Sequence, residues 1–515
     1  MRKSLSVPFA LLTAALGMSS VALADHPAGT GGKFSVHVNR PFVAFDPQKM
    51  PRNDMGRLQM MHAVTDVLFY KNQKTGALIP RLGLSTTHSD DYKIWRVKLR
   101  QGVKYSNGEE LTSESYVHHF DRLLGGRLAG AIRGALKAKL QKVVAIDKYT
   151  VEFRLSEPNV AFDSMMAGAE YVWLINAPGF AKKNENSPDY ARKLVGAGPY
   201  MIKEWIPGKG ITVVRNPNYW NPKEQHADEI FYKVTQGPEG ASNWNQIRSG
   251  DIDVSWSFGS LFARAPKAKG YKFYEGYRTY SGWVLNFHAA QPPFNDVRLR
   301  RAIAHAVDRK QVASIISRGT ALVSQEGFDP SRRWHCGNVK QLEYNPEKAK
   351  AILKEIGTPP VFEIWSHGGP FTKTAVIVQN MLKKVGIESK MKKVGPGPGA
   401  IFKNVLKGNI RTWVFLGGLA AHPTLFNTNM HSKHPGNTWK IKSAKLDAAI
   451  EKLNAARGDD AIKKAHCEFE QAKAEEVPYL HFTYGVAGLF AKDNIGGIEK
   501  PQTPLLGYHR LYRKK

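Results

Sequence analysis

Three histidines, His422, His431 and His434, lie close together in a chain that otherwise offers few recognisable chemical groupings. The spacing His431-x-x-His434 would set two imidazole nitrogens on one helical face, a grip that suits zinc or nickel. Proline, glycine and asparagine surround the pair, however, so the segment reads as a loop, and no acidic or cysteine ligands accompany it. Solvated or structural histidines are the plainer reading, and neither a metal nor a cofactor is expected. Hydrolytic chemistry is no better marked. The chain has no G-x-S-x-G elbow and no H-E-x-x-H pair. Carboxylates brought together by folding would still suffice for a secreted hydrolase, so an enzyme stays open as the alternative to a pure binder.

The glycine-rich stretch "GAGPYMIKEWIPGKGITVVRNPNYW", Gly196 to Trp220, invites a phosphate-binding reading. A phosphate loop runs from a strand through glycines into a helix N-terminus and carries Lys-Ser/Thr. Here "PGKG" joins two strands as a hairpin turn, and "GAGP" lacks the Lys-Ser/Thr. The glycines therefore serve backbone geometry. The two cysteines, Cys336 and Cys467, can pair in only one way. Cys467 sits on "DDAIKKAHCEFEQAKAEE", pointing away from the apolar stripe Ile462, Ala465, Phe469 and Ala472, and so is available for bridging. A Cys336–Cys467 disulfide and two free thiols both remain open.

The surrounding elements are legible as an α/β protein. "MRKSLSVPFALLTAALGMSSVALAD" has a basic start, a short apolar core and Ala22-Leu23-Ala24 before Asp25. That is a cleavable secretory signal over residues 1–24, followed by no lipid-accepting cysteine, and it implies a periplasmic product that is not lipid-anchored. The formal net charge of +30 favours solubility and attraction to anions. Its lysines and arginines are scattered and carry no recognition signature, which argues against nucleic acid as a partner. Trp95, Val97 and Leu99 alternate along one strand. Val151, Phe153 and Leu155 alternate along another, after a turn at Asp147-Lys148. "YNPEKAKAILKEIG" reads as a helix capped by Asn345, striped by Ala349, Ile352, Leu353 and Ile356, and stopped by Gly357. "AKLDAAIEKLNAARG" repeats that plan with Leu446, Ile450 and Leu453, closed by Gly458.

Taken in order, "LRQGVKYSNGEELTSESYVHHFDRLL", the Gly196–Trp220 stretch, "WVLNFHAAQPPFNDVRLRRAIAHAVDR", "YNPEKAKAILKEIG" and "EEVPYLHFTY" resemble the extracytoplasmic solute-binding proteins of the peptide/nickel/opine type that feed ABC importers. The resemblance implies a two-lobed periplasmic binding protein fold. Lobe I would comprise residues 25–282 plus 484–515, with an extra subdomain over about 73–190. Lobe II would comprise 283–483, joined to lobe I by a two-strand hinge. It also implies capture of a peptide or peptide-like small solute in the interlobe cleft by a monomer, and delivery to an inner-membrane ABC permease and its ATPase. Some members of the family handle metal or haem, which is a further alternative.

By position the resemblance carries ligand contacts to Pro51, Arg52 and Asn53, to Trp173, to Trp283 and Asn286, and to Trp413, Leu416 and Leu419. Arg52 would anchor a carboxylate if it faces the cleft, or do nothing if exposed. Trp283 and Trp413 would stack on ligand, or serve as core aromatics. In peptide-binding relatives an acidic residue at the position of Leu419 holds the ligand's free α-amine. The run Trp413–Ala421 contains no carboxylate. A buried ammonium without a partner costs several kcal/mol, about the worth of a lost ion pair. The expectation is an apolar, aromatic pocket suited to an N-blocked, anionic or non-peptide ligand, unless a carboxylate such as Glu170 reaches in from elsewhere.

Overall fold

The structure is a computed structural model that describes residues 31–38, 41–42, 44–46, 55–72, 74–125, 140–167, 173–187, 190–234, 241–258, 269–278, 282–319, 322–395, 398–417, 422–484, 486–498 and 508–514. The expected export signal lies outside the described residues. So do Pro51, Arg52, Asn53, Glu170 and Leu419.

Alternation of apolar and charged residues builds the first group of strands. In Ile94–Leu99, Trp95, Val97 and Leu99 are buried while Arg96 and Lys98 are exposed. Opposite them, Phe153 pairs with Trp95 and Val151 with Val97, so both apolar sets point into one core. The hairpin Leu140–Asp147/Thr150–Leu155 turns where Tyr149 N–H donates to the Asp147 carboxylate at 2.7 Å. With Gly83–His88 these strands make a four-stranded antiparallel sheet, covered by the amphipathic helix Ser113–Gly125.

A seven-stranded sheet follows, in the spatial order Tyr271–Arg278, Val486–Lys492, Val254–Phe258, Lys33–Val38, Glu229–Val234, Gly210–Arg215 and Tyr200–Ile206. Its central strand Lys33–Val38 runs parallel to both neighbours. The last two strands are the hairpin expected around "PGKG", with Gly208 at a φ of +76°. Gly196 and Gly198 have a different task. A Cβ on Gly198 would lie 2.5 Å from the Val64 carbonyl carbon, and its N–H donates to the Val64 oxygen at 2.9 Å. Glycine here lets two backbones touch.

The third sheet orders Ser389–Lys393, Phe362–Ser366, Thr412–Leu416, Trp283–Phe287 and Tyr479–His481. Helices cover both faces, and residues alternate between two cores. Leu285, Ile364, Val414 and Leu480 enter one; Val284, Trp413 and Tyr479 enter the other. The Pro346–Ile356 helix begins as its sequence requires, with Asn345 accepting from Lys348 N–H at 2.9 Å, and ends at Gly357, φ +79°. Gly458 departs from expectation. The Ala444–Ala455 helix ends before it, at an extended Ala456, and Gly458 is the N-cap of the next helix, Asp459–Glu476. The glycine opens a helix because two acidic residues follow it, which suits a helix N-terminus.

Among the described residues the chain passes twice between the seven-stranded and five-stranded sheets. Tyr271–Arg278 belongs to the seven-stranded sheet and Trp283–Phe287 to the five-stranded one; Tyr479–His481 belongs to the latter and Val486–Lys492 to the former. The two passages bond to each other: Gly282 N–H to Thr483 O at 2.6 Å, and Phe482 N–H to Trp283 O at 2.9 Å.

Residues 322–342 form a strap on the five-stranded half with little regular structure. A disulfide joins Cys336 to Cys467 of the Asp459–Glu476 helix. Buried Glu326 accepts from the N–H groups of Cys336 and Gly337 at 2.7 and 2.8 Å, and Glu470 from Gly327 N–H at 3.0 Å. The disulfide closes a sequence separation of 131 residues, so chain-entropy arguments give it about 2–5 kcal/mol. Replacing both cysteines by serine should lower the urea midpoint and raise the m-value, because the unlinked denatured chain exposes more surface, and an unaltered midpoint would show that the carboxylate clamps alone hold the strap.

Candidate functional site

In an α/β sheet with parallel strands, ligands gather at the carboxyl ends, where chain turns leave polar backbone and side chains free. Phe362–Ser366 and Thr412–Leu416 run parallel, and their carboxyl ends coincide with the start of the antiparallel strand Trp283–Phe287. Aromatic rings collect there. Trp283 meets Phe371 edge-on at 4.3 Å, His367 lies 4.0 Å from Phe371 and 5.5 Å from Phe415, and Phe402 packs on Phe415 at 4.8 Å. Trp283, His367 and Phe415 are half-buried. Beside them Gly368 and Gly369, both at positive φ, turn the chain from the strand into the Gly369–Lys383 helix, whose N-terminal N–H groups begin at this rim.

The residues expected at the site separate into distinct groups. Trp283 stands at the rim. Leu416, its cross-strand neighbour, is placed by its backbone register there. Trp413 and Asn286 point the other way, into the second core. Trp413 is 2% exposed. Asn286 accepts from the Trp439 indole N–H at 2.9 Å and donates to the Trp413 carbonyl at 3.3 Å, so its amide is used internally. Trp173 is enclosed by Phe120, Phe153 and Phe162 in the core beneath the four-stranded sheet. These three are core positions, because each lies on the inward face of its element. Of the clustered histidines, whose plainer reading is solvated or structural, His431 approaches Glu451 at 3.3 Å and His422 is buried beside Thr424. One group of metal-ligand type appears among the described residues, Glu326, Cys336 and His466, but the Cys336 sulfur is held in the disulfide and offers no thiolate.

His367, Phe371 and Phe415 are not among the residues expected from sequence. Their signal was "SHGGPF", a strand that runs into glycines and a helix, which marks a turn at the carboxyl end of a parallel strand. A seam where the five-stranded half meets the other is likewise not expected from sequence. Lys71 pairs with Asp163 at 2.7 Å and bonds Ser164. Against this pair lies His422, whose ring meets Trp334 edge-on at 4.9 Å. Burial pushes the His422 imidazole down to about 3. The positive charges of Lys71 and Arg333 add to that effect, while Asp163 and Asp459 oppose it. The Arg333 guanidinium pairs with Asp459 and donates to the Thr75 carbonyl across the seam at 3.1 Å. Arg457 stacks over Tyr92, Leu425 packs on the first core, and Val160 on the strap's Phe328 and Trp334.

Comparison with known proteins gives a consistent answer. Residues 77–438, more than half of the chain, match the model of the bacterial extracellular solute-binding proteins, family 5 Middle. The nickel-binding periplasmic protein of Escherichia coli is 25% identical, over 84% of this chain and 86% of that protein. The oligopeptide-binding protein AppA of Bacillus subtilis is 26% identical over 81% and 80%. The periplasmic binding protein DppA of Helicobacter pylori, solved with the peptide STSA, superposes with a TM-score of 0.79 at 20% identity, covering 95% of this chain and 99% of that one. The substrate-binding protein CtaP of Listeria monocytogenes gives 0.81 at 21%, over 94% and 100%. The fold is that of the two-lobed periplasmic binding proteins. The chain is an extracytoplasmic binding protein and belongs to the bacterial extracellular solute-binding proteins, family 5.

Proposed function

We propose that this protein traps a peptide or peptide-like small solute between two lobes and hands it, chemically unchanged, to an ABC permease in the inner membrane. The observation that carries this reading is the double passage of the chain. Among the described residues the chain passes between the two bodies only at the paired backbones of 282–283 and 482–483, and the other contacts between them are the side-chain contacts of the seam. Such a connection permits hinge closure, and a ligand touching both bodies biases it. We assign lobe I to 25–282 plus 484–515, with the extra subdomain at about 73–190, and lobe II to 283–483. The protein acts as a periplasmic monomer freed of its export signal and without a lipid anchor.

Trp283 and Leu416, together with His367, Phe371 and Phe415, form the lobe II wall of the pocket. Pro51, Arg52, Asn53 and Leu419 complete it by position in the sequence. With no carboxylate in Trp413–Ala421, the ligand is one whose binding does not depend on a free α-amine. Calorimetry with matched peptides, free and acetylated at the N-terminus, should give equal affinity or a preference for the acetylated form. A tenfold preference for the free amine would overturn this assignment. Mass spectrometry of the solute that co-purifies should return it intact, with a ligand-dependent rise in Tm; turnover by the purified protein would make it an enzyme.

Closure buries His422 in its neutral form beside Lys71, Asp163, Arg333 and Asp459. An imidazole released to solvent on opening has the ordinary value near 6.5 and the buried one about 3, so the closed seam is fully favoured above pH 6.5 and weakens as pH falls below it. Each unit of that interval is worth about 1.4 kcal/mol, an upper bound for a seam that solvent reaches on opening. Ligand affinity should therefore fall by up to roughly tenfold from pH 7 to pH 5. The His422→Asn variant should show a flatter profile over the same range. Identical profiles for the two proteins would remove His422 from closure.

A further inference from the structure

The positive charge of this chain is not spread evenly over lobe II. In a parallel β-helix-β connection each helix runs back against its strand, so helix C-termini gather at the amino ends of the strands, opposite the cleft rim. Phe362–Ser366 runs parallel to both Ser389–Lys393 and Thr412–Leu416. The Pro346–Ile356, Gly369–Lys383 and Pro398–Leu406 helices therefore all end at the same side of the sheet. There they deliver Lys354, then Lys383 and Lys384, then Lys403 and Lys407, with Arg411 just before the Thr412–Leu416 strand, and these six cations outnumber the two exposed carboxylates at the same end, Glu355 and Glu388. All six are exposed, and among the described residues none has a carboxylate within ion-pair distance. Arg411 donates only to the Pro292 carbonyl. Two large aliphatic side chains are exposed at the same end: Val361, at 56%, just before the Phe362 strand, and Leu406, at 59%, in the last turn of its helix.

We propose that this basic end of lobe II, pointing away from the ligand cleft, docks the protein on an anionic phospholipid bilayer. A lysine in the last turn of a helix also offsets the helix dipole, but that role is met by a single charge per helix. It does not require Lys384, Lys407 and Arg411 beyond the helix ends. Nor does it require Val361 and Leu406 in water, where two exposed aliphatics gain nothing. A bilayer interface uses both features. Each cation near an anionic surface contributes attraction that fades within a Debye length, and the aliphatics enter the boundary between headgroups and acyl chains. A nucleic-acid partner would use the charges and leave the aliphatics idle. An exported protein that must meet a membrane permease gains from two-dimensional confinement near it, and the cleft stays free because it opens at the other end of the strands.

Co-sedimentation of the full-length mature protein with vesicles tests this. Vesicles of phosphatidylcholine containing phosphatidylglycerol should pull it down at low salt and release it at high salt, whereas pure phosphatidylcholine should not bind it. The variant K383E/K384E/K403E/K407E should bind at least tenfold more weakly. A control, K98E/K142E/K182E/K183E, makes the same change in net charge on the extra subdomain and should bind as the parent does. Leu406→Ser should weaken binding with its salt dependence retained. Circular dichroism and the ligand-dependent Tm shift should be unchanged in all of them. Equal losses in both charge-reversal variants would mean that net charge alone is responsible, and the assignment to this surface would fail. It would also fail if the parent ignored the anionic vesicles, or bound duplex DNA at the same salt more tightly than it bound them.

Discussion

Two backbone passages, Arg278 to Trp283 and His481 to Val486, are what the arrangement depends on. Because the chain passes between the seven-stranded and five-stranded sheets only there among the described residues, each body builds most of its core from its own residues, with Leu425 and Val160 reaching across. Each therefore buries its own aliphatic and aromatic set: Phe34, Val36, Ile230 and Tyr232 around one sheet, and Leu285, Phe287, Ile364 and Val414 around the other. The passages brace each other through hydrogen bonds between 282–283 and 482–483. Rotation about a pair of bonded strands disturbs few contacts. That is the physical condition for a hinge, and it leaves the energetics of closure to whatever the two bodies present to each other.

What they present is mixed. The seam combines the Lys71–Asp163 pair, the Arg333 contact to Thr75, and stacked or edge-on rings at Tyr92, Trp334 and His422. A seam of continuous aliphatic packing would close permanently, since each fully buried large side chain is worth about 1.5–3 kcal/mol. Polar pairs near solvent contribute about 1 kcal/mol or less. Such a seam sits near balance, where the differential contacts of a bound solute decide the outcome. The strap that carries Arg333 and Trp334 is held firmly on its own side by the disulfide, by Glu326 and by Glu470. The variable contact is thus mounted on a fixed support.

The fold was largely legible because its strands obey simple alternation. Trp95, Val97 and Leu99 declare a half-buried strand, and Asn345 with Gly357 brackets a helix, without reference to anything distant. The pocket was less legible, for a definite reason. Trp413 and Phe415 lie two residues apart on one face, and sequence cannot say which of them reaches the rim and which stays in the core. Trp413 is buried and Phe415 is at the rim. Asn286 is ambiguous in the same way: sequence cannot tell a ligand-facing amide from one that bonds Trp439 and the Trp413 carbonyl, as this one does. His367 and Phe371 became visible only when parallel pairing of Phe362–Ser366 placed "SHGG" at a carboxyl end. Gly458 shows that a glycine marks a helix boundary without saying which helix it bounds.

Charge tells the interior from the exterior. Inside, cations and anions are matched closely: Arg81 lies between Asp66 and Glu224, Arg122 binds both oxygens of Asp46, Lys473 reaches Glu470 at 2.5 Å, and Glu152 is clasped by Arg96 and Arg154. An unpaired buried charge would be too costly to keep, so the core enforces neutrality. The excess behind the +30 must then sit on surfaces, where folding places no constraint on its sign. Lysines set singly on a surface need only solubility to explain them. Those gathered where three helices end, beside Val361 and Leu406, share a place that the topology of the sheet created and that the cleft does not use. Charge that serves neither the core nor the cleft, and is accompanied by exposed aliphatic area, is what the proposed bilayer contact would use.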